Sequence, residues 1–323
     1  MKAAVYRGPK KIKAEDVAEP KISGKKVLVN FKAGSICGTD LHFYRGDWKA
    51  MKHGRILGHD ACGVRADTGI RVAMIPITFC GTCFFCLRGQ PGLCSRGMLL
   101  GLNRDGFFAE AIALRGRNLV PLPETVTDDE AAIVEPVALA IRTFDMLSPK
   151  TNDWVTVIGQ GPIGLMMAQI ARLKGCKVIA IDKEDYRLTL SRKFGAAHCI
   201  NPIEEDAVEK VKEITSRGSD IVVEAAGTIE AVEQTPFMVR KAGKVALVGE
   251  FEGYMNLASA DEATFSTVYL SPVEYPIAVS LIAEKKVDTK GLITHRFKLA
   301  DFEKAVETAN DPSQKPVKVV VTA

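Results

Sequence analysis

Three regimes of apolar and polar positions follow one another along the chain. Residues 1–36 carry short β-like runs: Val27-Leu28-Val29-Asn30-Phe31 lies between Gly24 and Gly34, with no helical period. The same character continues around Val64, at Val72-Ala73-Met74-Ile75 and over 106–122. Pro121-Leu122-Pro123 marks a boundary. Thr127-Asp128-Asp129-Glu130 then predicts a helix start, with Thr127 as N-cap and acids in the first turn, continuing through Ala131-Ala132-Ile133-Val134-Glu135.

At Trp154 the pattern changes. Val155-Thr156-Val157-Ile158 predicts a strand, Leu165 to Lys174 a helix, and Val178-Ile179-Ala180-Ile181 a second strand ending at Asp182. Strand-like runs recur at Ile221-Val222-Val223-Glu224 and Lys244-Val245-Ala246-Leu247-Val248. Helical stretches lie near 185–194, 204–216 and 229–240. Repeated βα units predict a doubly wound parallel sheet. Ligands of such sheets sit beyond the carboxyl ends of the strands, which points to Ala225, Gly227 and Gly249. After about residue 268 the pattern becomes mixed. A helix is expected from Tyr275 to Lys285, a strand at Ile293–Phe297, a helix from Leu299 to Ala309 and a final strand from Val317 to Val321. This tail could rejoin the first region.

Composition narrows the function classes. A chain of 323 residues exceeds the usual size of one core, so two domains are expected. The net charge is +4, and Lys and Arg are scattered among Asp and Glu, which argues against a nucleic-acid partner. No apolar run approaches the ~20 residues that span a bilayer. The start, Met1-Lys2-Ala3-Ala4-Val5-Tyr6-Arg7, lacks the apolar middle of a signal peptide, so a cytoplasmic protein is expected.

Three stretches carry chemistry. The first runs from Cys37 to Asp60 and gathers Cys37, Thr39, Asp40, His42, His59 and Asp60, a set rich in preferred zinc donors. The second is Cys80-x2-Cys83-x2-Cys86-x7-Cys94. Four soft thiolates suit a closed, structural tetrahedral zinc site. An iron–sulfur cluster is the competing reading, but the bacterial ferredoxin run closes with a shorter interval and a Cys-Pro, whereas Ser95 follows Cys94 here. The remaining Cys62, Cys176 and Cys199 sit in apolar company and read as small buried hydrophobes. The third stretch is Gly159-Gln160-Gly161-Pro162-Ile163-Gly164 between strand and helix. In this context it reads as a dinucleotide fingerprint: Gly159 for the tight turn, Gly161 for close approach to a pyrophosphate, Gly164 for helix–strand packing. Pro162 and Ile163 open the helix whose N-terminus faces the phosphates. Asp182 stands where a carboxylate accepts the ribose hydroxyls, which favours NAD over NADP; Lys183 and Arg187 nearby weaken that preference. Glu135 by itself reads as an exposed helix carboxylate.

Taken in order, these motifs resemble the zinc-dependent medium-chain dehydrogenases over essentially the whole chain, and most of all their polyol and threonine dehydrogenase branch. The resemblance rests on Cys37-Gly38-Thr39-Asp40-x-His42, Gly58-His59-Asp60, the four-cysteine lobe, Glu135-Pro136, the glycine fingerprint and Thr294-His295-Arg296-Phe297. It implies a GroES-like β-barrel catalytic domain split in sequence (1–145, with the zinc lobe at 80–94, and 269–323) around an inserted Rossmann NAD-binding domain (146–268). It further implies two zinc ions per chain and NAD. Cys37, His59, Asp60 and Glu135 would surround the catalytic zinc, and Cys80, Cys83, Cys86 and Cys94 the structural one. Asp40 would orient the ligating histidine, and Thr39 and His42 would relay the proton. Arg187 joins the NAD-binding set. A small polyol or ketose would be the substrate, with L-threonine 3-dehydrogenase and other alcohol or aldose dehydrogenases as alternatives. A non-catalytic zinc- and NAD-binding redox sensor is a further alternative, against which the ligand and relay set argues. Homodimers or homotetramers are common in the family. Three departures stand out: Asp60 where the branch carries Glu, a short span between Gly63 and Val72, and Tyr269-Leu270-Ser271 where sorbitol enzymes carry a substrate-contacting arginine.

Overall fold

The computed structural model describes residues 1–48, 51–257 and 260–323. The first region contributes β1 (Lys2–Tyr6), β2 (Ile12–Asp16), β3 (Lys26–Ser35), α1 (Gly38–Arg45), β4 (Ala61–Arg65), β5 (Arg71–Met74), β6 (Ile77–Thr78) and α2 (Phe84–Leu87). It continues with β7 (Met98–Leu99), β8 (Ala111–Arg115), β9 (Leu119–Pro121), α3 (Asp128–Ala131) and α4 (Val134–Leu147). The middle region holds β10 (Trp154–Ile158), α5 (Pro162–Leu173), β11 (Lys177–Ile181), α6 (Asp185–Lys193), β12 (His198–Ile200), α7 (Ala207–Thr215), β13 (Ser219–Glu224), α8 (Ile229–Met238), β14 (Val239–Leu247) and β15 (Thr264–Thr267). The tail adds α9 (Tyr275–Ala283), β16 (Ile293–Lys298), α10 (Phe302–Asn310) and β17 (Lys318–Thr322). Among the described residues no helix is long and apolar enough to cross a membrane.

The chain divides into Met1–Ala138 with Leu270–Ala323, and Leu139–Tyr269. The first division lies inside α4, ahead of the boundary expected at 145, because α4 is continuous there and offers no turn residue to read.

In the first unit, β3 organises a seven-stranded sheet of order β16-β17-β3-β4-β5-β9, with β8 also on β3. The ten residues of β3 are long enough to pair with β8 through Lys26–Asn30 and with β17 through Ala33–Ser35 along one edge, and with β4 along the other. The tail thus completes the sheet begun by the N-terminal region. The short span after Gly63 is a tight hairpin between β4 and β5. Phe31, Phe43, Leu57, Phe107, Phe108, Phe302 and Val321 are among the residues that close the core under this sheet.

The helix expected from Thr127 through Glu135 is broken in two. Thr127 caps α3 in a reciprocal pair with Glu130, and the chain turns at Ala132-Ile133 before α4 starts at Val134. Pro136 is the reason: it has no N–H for the Ala132 carbonyl, and its ring would collide with that carbonyl in a continuous helix. The freed Ala132 O lies 2.7 Å from Ser35 Oγ instead. Glu135 therefore sits in the first turn of a new helix and is 7% exposed, not the surface carboxylate that its local context suggests.

The second unit is a six-stranded, all-parallel sheet of order β12-β11-β10-β13-β14-β15. Its central strands are covered on both faces, so both alternating sets are apolar: Val155, Val157, Ile179, Val222, Val223 and Val245 are fully sealed. The strand order reverses between β10 and β13, which opens a crevice at their carboxyl ends.

Candidate functional site

Backbone register brings the first donors together. Gly34 near the end of β3 pairs with Ala61 at the start of β4, so the residue pairs just beyond, Cys37 and His59-Asp60, emerge at the same end of the sheet. Cys37 caps α1, where the helix N-terminus favours a thiolate. Gly58 takes φ 91°, and a side chain there would overlap the Phe108 ring; only glycine lets the loop deliver His59. One ligand atom each from Cys37, His59 and Asp60 lies within 4.8 Å of the others. His59 Nε2 is 3.9 Å from Asp60 Oδ1.

Glu135 stands outside that close trio, yet its buried Oε2 has no hydrogen-bond partner, and neither has Asp60 Oδ1. Burial and the negative charge of Asp60 push the Glu135 carboxyl well above the ordinary range. Burial disfavours an imidazolium at His59, but the charges of Cys37 and Asp60 outweigh it and raise the ring well above its usual value. Burial likewise raises the Cys37 thiol, and His59 more than reverses this. A thiolate and several carboxylates thus crowd this buried space, and among the described residues His59 and Lys318 are the cations whose charges act on them. Three carboxylate oxygens there, on Asp40, Asp60 and Glu135, lack hydrogen-bond partners. This donor set fits a divalent cation, which would relieve the charge and satisfy the Asp60 and Glu135 oxygens.

Asp60 does not reach out freely. Its Oδ2 accepts from Lys318 Nζ at 3.0 Å and lies 3.2 Å from Ser35 Oγ. Lys318 also donates to Ile36 O at 3.1 Å. Only Oδ1 remains for a metal. Asp40, expected to orient His59, accepts the Cys37 backbone N–H at 3.0 Å through one oxygen; the other has no hydrogen-bond partner, and the carboxylate and the His59 ring act on each other's charge. Thr39 Oγ1 is 3.9 Å from Cys37 Sγ. His42, one helical turn on and therefore on the same face, stacks on Trp48 with centroids 4.9 Å apart. Its Nδ1 lies 3.2 Å from Asp47 Oδ2, and burial with the neighbouring Arg45 lowers its pKa against the pull of Asp47.

The four-cysteine lobe forms a second cluster, with the sulfurs of Cys80, Cys83, Cys86 and Cys94 all within 4.8 Å. Cys80–Cys86 and Cys83–Cys94 sulfurs are 3.9 and 3.8 Å apart, and none forms a disulfide. A tetrahedron with metal–sulfur bonds of about 2.3 Å has edges of about 3.8 Å. Backbone N–H groups of Thr82 and Cys83 point at Cys80 Sγ from 3.4 and 3.3 Å and bring that thiol down to about 5. Burial and the neighbouring sulfurs raise Cys86 to about 11. Four sulfurs this close cannot all ionise without a cation between them, so this set also fits zinc. Among the described residues these are the two groups with metal-binding geometry. Cys62 and Cys176 are buried outside both, and Cys199 is half-buried.

In the second unit the fingerprint loop follows β10. Gly159 takes φ 88°, and a Cβ would come within 2.6 Å of Ala226 N. At Gly164 a Cβ would overlap the Gly159 carbonyl. At Gly161 it would meet nothing within 4 Å, an open cradle beside the α5 N-terminus. Pro162 and Ile163 form the first turn of α5. Asp182, at the end of β11, accepts from Gln160 N at 2.6 Å and Glu184 N at 2.9 Å, so it also holds the loop in place. Arg187 lies 3.7 Å from it. Across the crevice, Glu224 accepts from Ala226 N at 2.7 Å and Gly227 N at 2.8 Å; Gly227 takes φ 71°, and Gly249 packs against it too closely for any side chain. This arrangement fits a dinucleotide.

Reading the sequence missed Ser35, Gln160, Glu224 and Lys318. Only Lys318 left a signal: a single lysine within Val317-Lys318-Val319-Val320-Val321 must find a partner if that strand is buried.

Comparison with known proteins follows the same division. Residues 23–124 match the alcohol dehydrogenase GroES-like domain, and 162–305 match the zinc-binding dehydrogenase domain. Sorbitol dehydrogenase of Bacillus subtilis (strain 168) is 32% identical over 99% of this chain and 97% of its own length. L-threonine 3-dehydrogenase of Bacillus licheniformis is 32% identical over 91% of this chain and 90% of its own. A short chain alcohol dehydrogenase from E. coli CFT073, solved with the cofactor NADH, superposes with TM-score 0.92 at 26% identity, covering 100% of this chain and 99% of that one.

Proposed function

This chain belongs to the zinc-binding alcohol dehydrogenase family, and from that premise we propose that it oxidises a secondary hydroxyl of a polyol to the ketone with NAD, reversibly. The observation that carries this reading is the buried trio of Cys37, His59 and Asp60 beside Glu135, with two carboxylate oxygens left unpartnered. A structural metal site has no use for such reserve; the closed Cys80–Cys94 set is the contrast within the same chain.

Cys37 and His59 would hold the catalytic zinc, with Asp60 Oδ1 and Glu135 as the adjustable oxygen donors. Zinc there supplies Lewis acidity that lowers the pKa of a hydroxyl, and NAD supplies the hydride acceptor. Thr39 takes the substrate hydroxyl proton as it gives up its own. His42, half-exposed, passes a proton to solvent, with burial and Arg45 holding its imidazole below the ordinary value so that it releases the proton readily. Gly159, Gly161 and Gly164 shape the pyrophosphate cradle at the start of α5, with Pro162 and Ile163 in its first turn. Asp182 accepts the ribose hydroxyls and opposes a 2′-phosphate, tempered by Arg187. Glu224 holds the Ala225–Gly227 turn, and Gly249 lines the same crevice.

The polyol reading draws on the end-to-end match to a sorbitol dehydrogenase; the threonine dehydrogenase match is as high in identity but shorter. L-threonine is therefore the second reading. Following NAD reduction with sorbitol, mannitol, galactitol, L-threonine and 2-butanol separates the two. Turnover of at least one polyol faster than threonine is expected, and no rate with any polyol would overturn the proposal.

A further inference from the structure

Tyr275 is the first residue of α9 and is 1% exposed, yet its hydroxyl has no hydrogen-bond partner among the described residues. A buried, unsatisfied polar group costs about 1–3 kcal/mol. Phenylalanine would bury the same ring without that cost, so the hydroxyl calls for a function.

Its surroundings suggest one. Lys285, just beyond α9, donates to Thr125 O at 3.1 Å and to Glu130 Oε1 at 2.8 Å. These contacts lay α9 along the segment that leads into α4 and Glu135. Burial above all, with the charges of Glu135 and Asp60 adding to it, holds the phenol's proton on well above the ordinary range. The hydroxyl is therefore a donor. Glu135 Oε2 and Asp60 Oδ1 are unpartnered acceptors, but the phenol bonds to neither. The buried oxygens left without partners around the donor set, Asp60 Oδ1, Glu135 Oε2 and Asp40 Oδ1, are all on carboxylates that a cation would satisfy, whereas the phenol is a donor that a cation cannot satisfy.

We propose that Tyr275 is a specificity-determining residue: its hydroxyl donates a hydrogen bond to the oxygen on the carbon next to the reacting one, selecting vicinal diols. The inference rests on the polyol reading and extends it. A simple secondary alcohol offers no oxygen at that carbon. A β-hydroxy amino acid offers an ammonium there, which cannot accept. A site built around a hydrogen bond rejects analogues that leave its polar group unpaired.

The test compares wild type with Tyr275→Phe on 2,3-butanediol and 2-butanol, together with equilibrium binding of sorbitol to the zinc-loaded protein without NAD by calorimetry. For the variant, kcat/KM on the diol is expected to fall about tenfold, the change expected of one neutral hydrogen bond, with less than twofold change on 2-butanol. Sorbitol Kd should rise by a similar factor, with zinc content and Tm retained. Equal losses on both alcohols, or unchanged diol turnover and sorbitol binding, overturn the role of Tyr275 alone. A wild-type enzyme that oxidises 2-butanol or L-threonine in preference to every diol overturns the polyol reading and this inference with it.

Discussion

Lys318 Nζ donates to Asp60 Oδ2 at 3.0 Å, and both side chains are sealed, 2% and 0% exposed. An ion pair this deep is strongly destabilising to break, because the surviving charge is stranded in low dielectric. It also sets which oxygen of Asp60 stays available. Lys318→Met is expected to cost about 3–5 kcal/mol in urea unfolding and to reduce zinc retention against a chelator. Lys318→Met combined with Asp60→Asn should recover much of the stability but not the zinc. Recovery of both would show that Asp60 takes no part in the metal site.

The two cysteine groups should respond differently to the same change. Cys37→Ser is expected to abolish turnover and leave one zinc per chain, with NADH binding by fluorescence largely intact. Cys83→Ser should also leave one zinc, but its main effect is a lower Tm. Retained turnover in Cys37→Ser would refute the assignment of Cys37.

Asp182 anchors Gln160 N, and under the proposed function it would also accept the ribose hydroxyls. Asp182→Ala should raise the KM for NAD about tenfold or more, as expected for a lost hydrogen bond to a charged group. It should also narrow the preference against NADP. A KM for NAD that does not move would argue against this carboxylate as the ribose acceptor.

Asp220 supplies a pH signature in the second unit. It accepts from Trp154 N at 2.8 Å and Arg240 Nε at 2.7 Å. Burial alone would raise its carboxyl, but these bonds outweigh it and hold it below the ordinary range. A lowered folded-state pKa means stability that is fully present above the unfolded value of ~3.9 and is lost as pH falls through the folded one. Asp220→Asn should therefore cost about 1–3 kcal/mol at pH 7 by denaturant unfolding. The gap to wild type should narrow below about pH 4. A gap that stays constant with pH would mean the carboxylate charge contributes nothing.

Much of this protein is local information. The Cys80–Cys94 spacing, the glycine loop between strand and helix, and Cys37 to Asp60 lie within short windows, where residue type and interval dictate what the backbone can do. The βα alternation and the return of the tail were legible for the same reason: period follows secondary structure. The helix break was legible in principle, since Pro136 forbids a continuous helix, but the loss of the Ala132 carbonyl's partner becomes visible only with Ser35 beside it.

Sequence alone therefore determined the family, both candidate metal sets and the candidate cofactor loop. Tertiary structure decided what the carboxylates do. It turned Glu135 inward, gave Asp40 to the Cys37 backbone, and brought Lys318 to Asp60 across 258 residues of chain. The physical reason is that a buried charge is defined by its neighbours. Those neighbours come from strand pairing between β17 and β3, which no local window of the sequence contains.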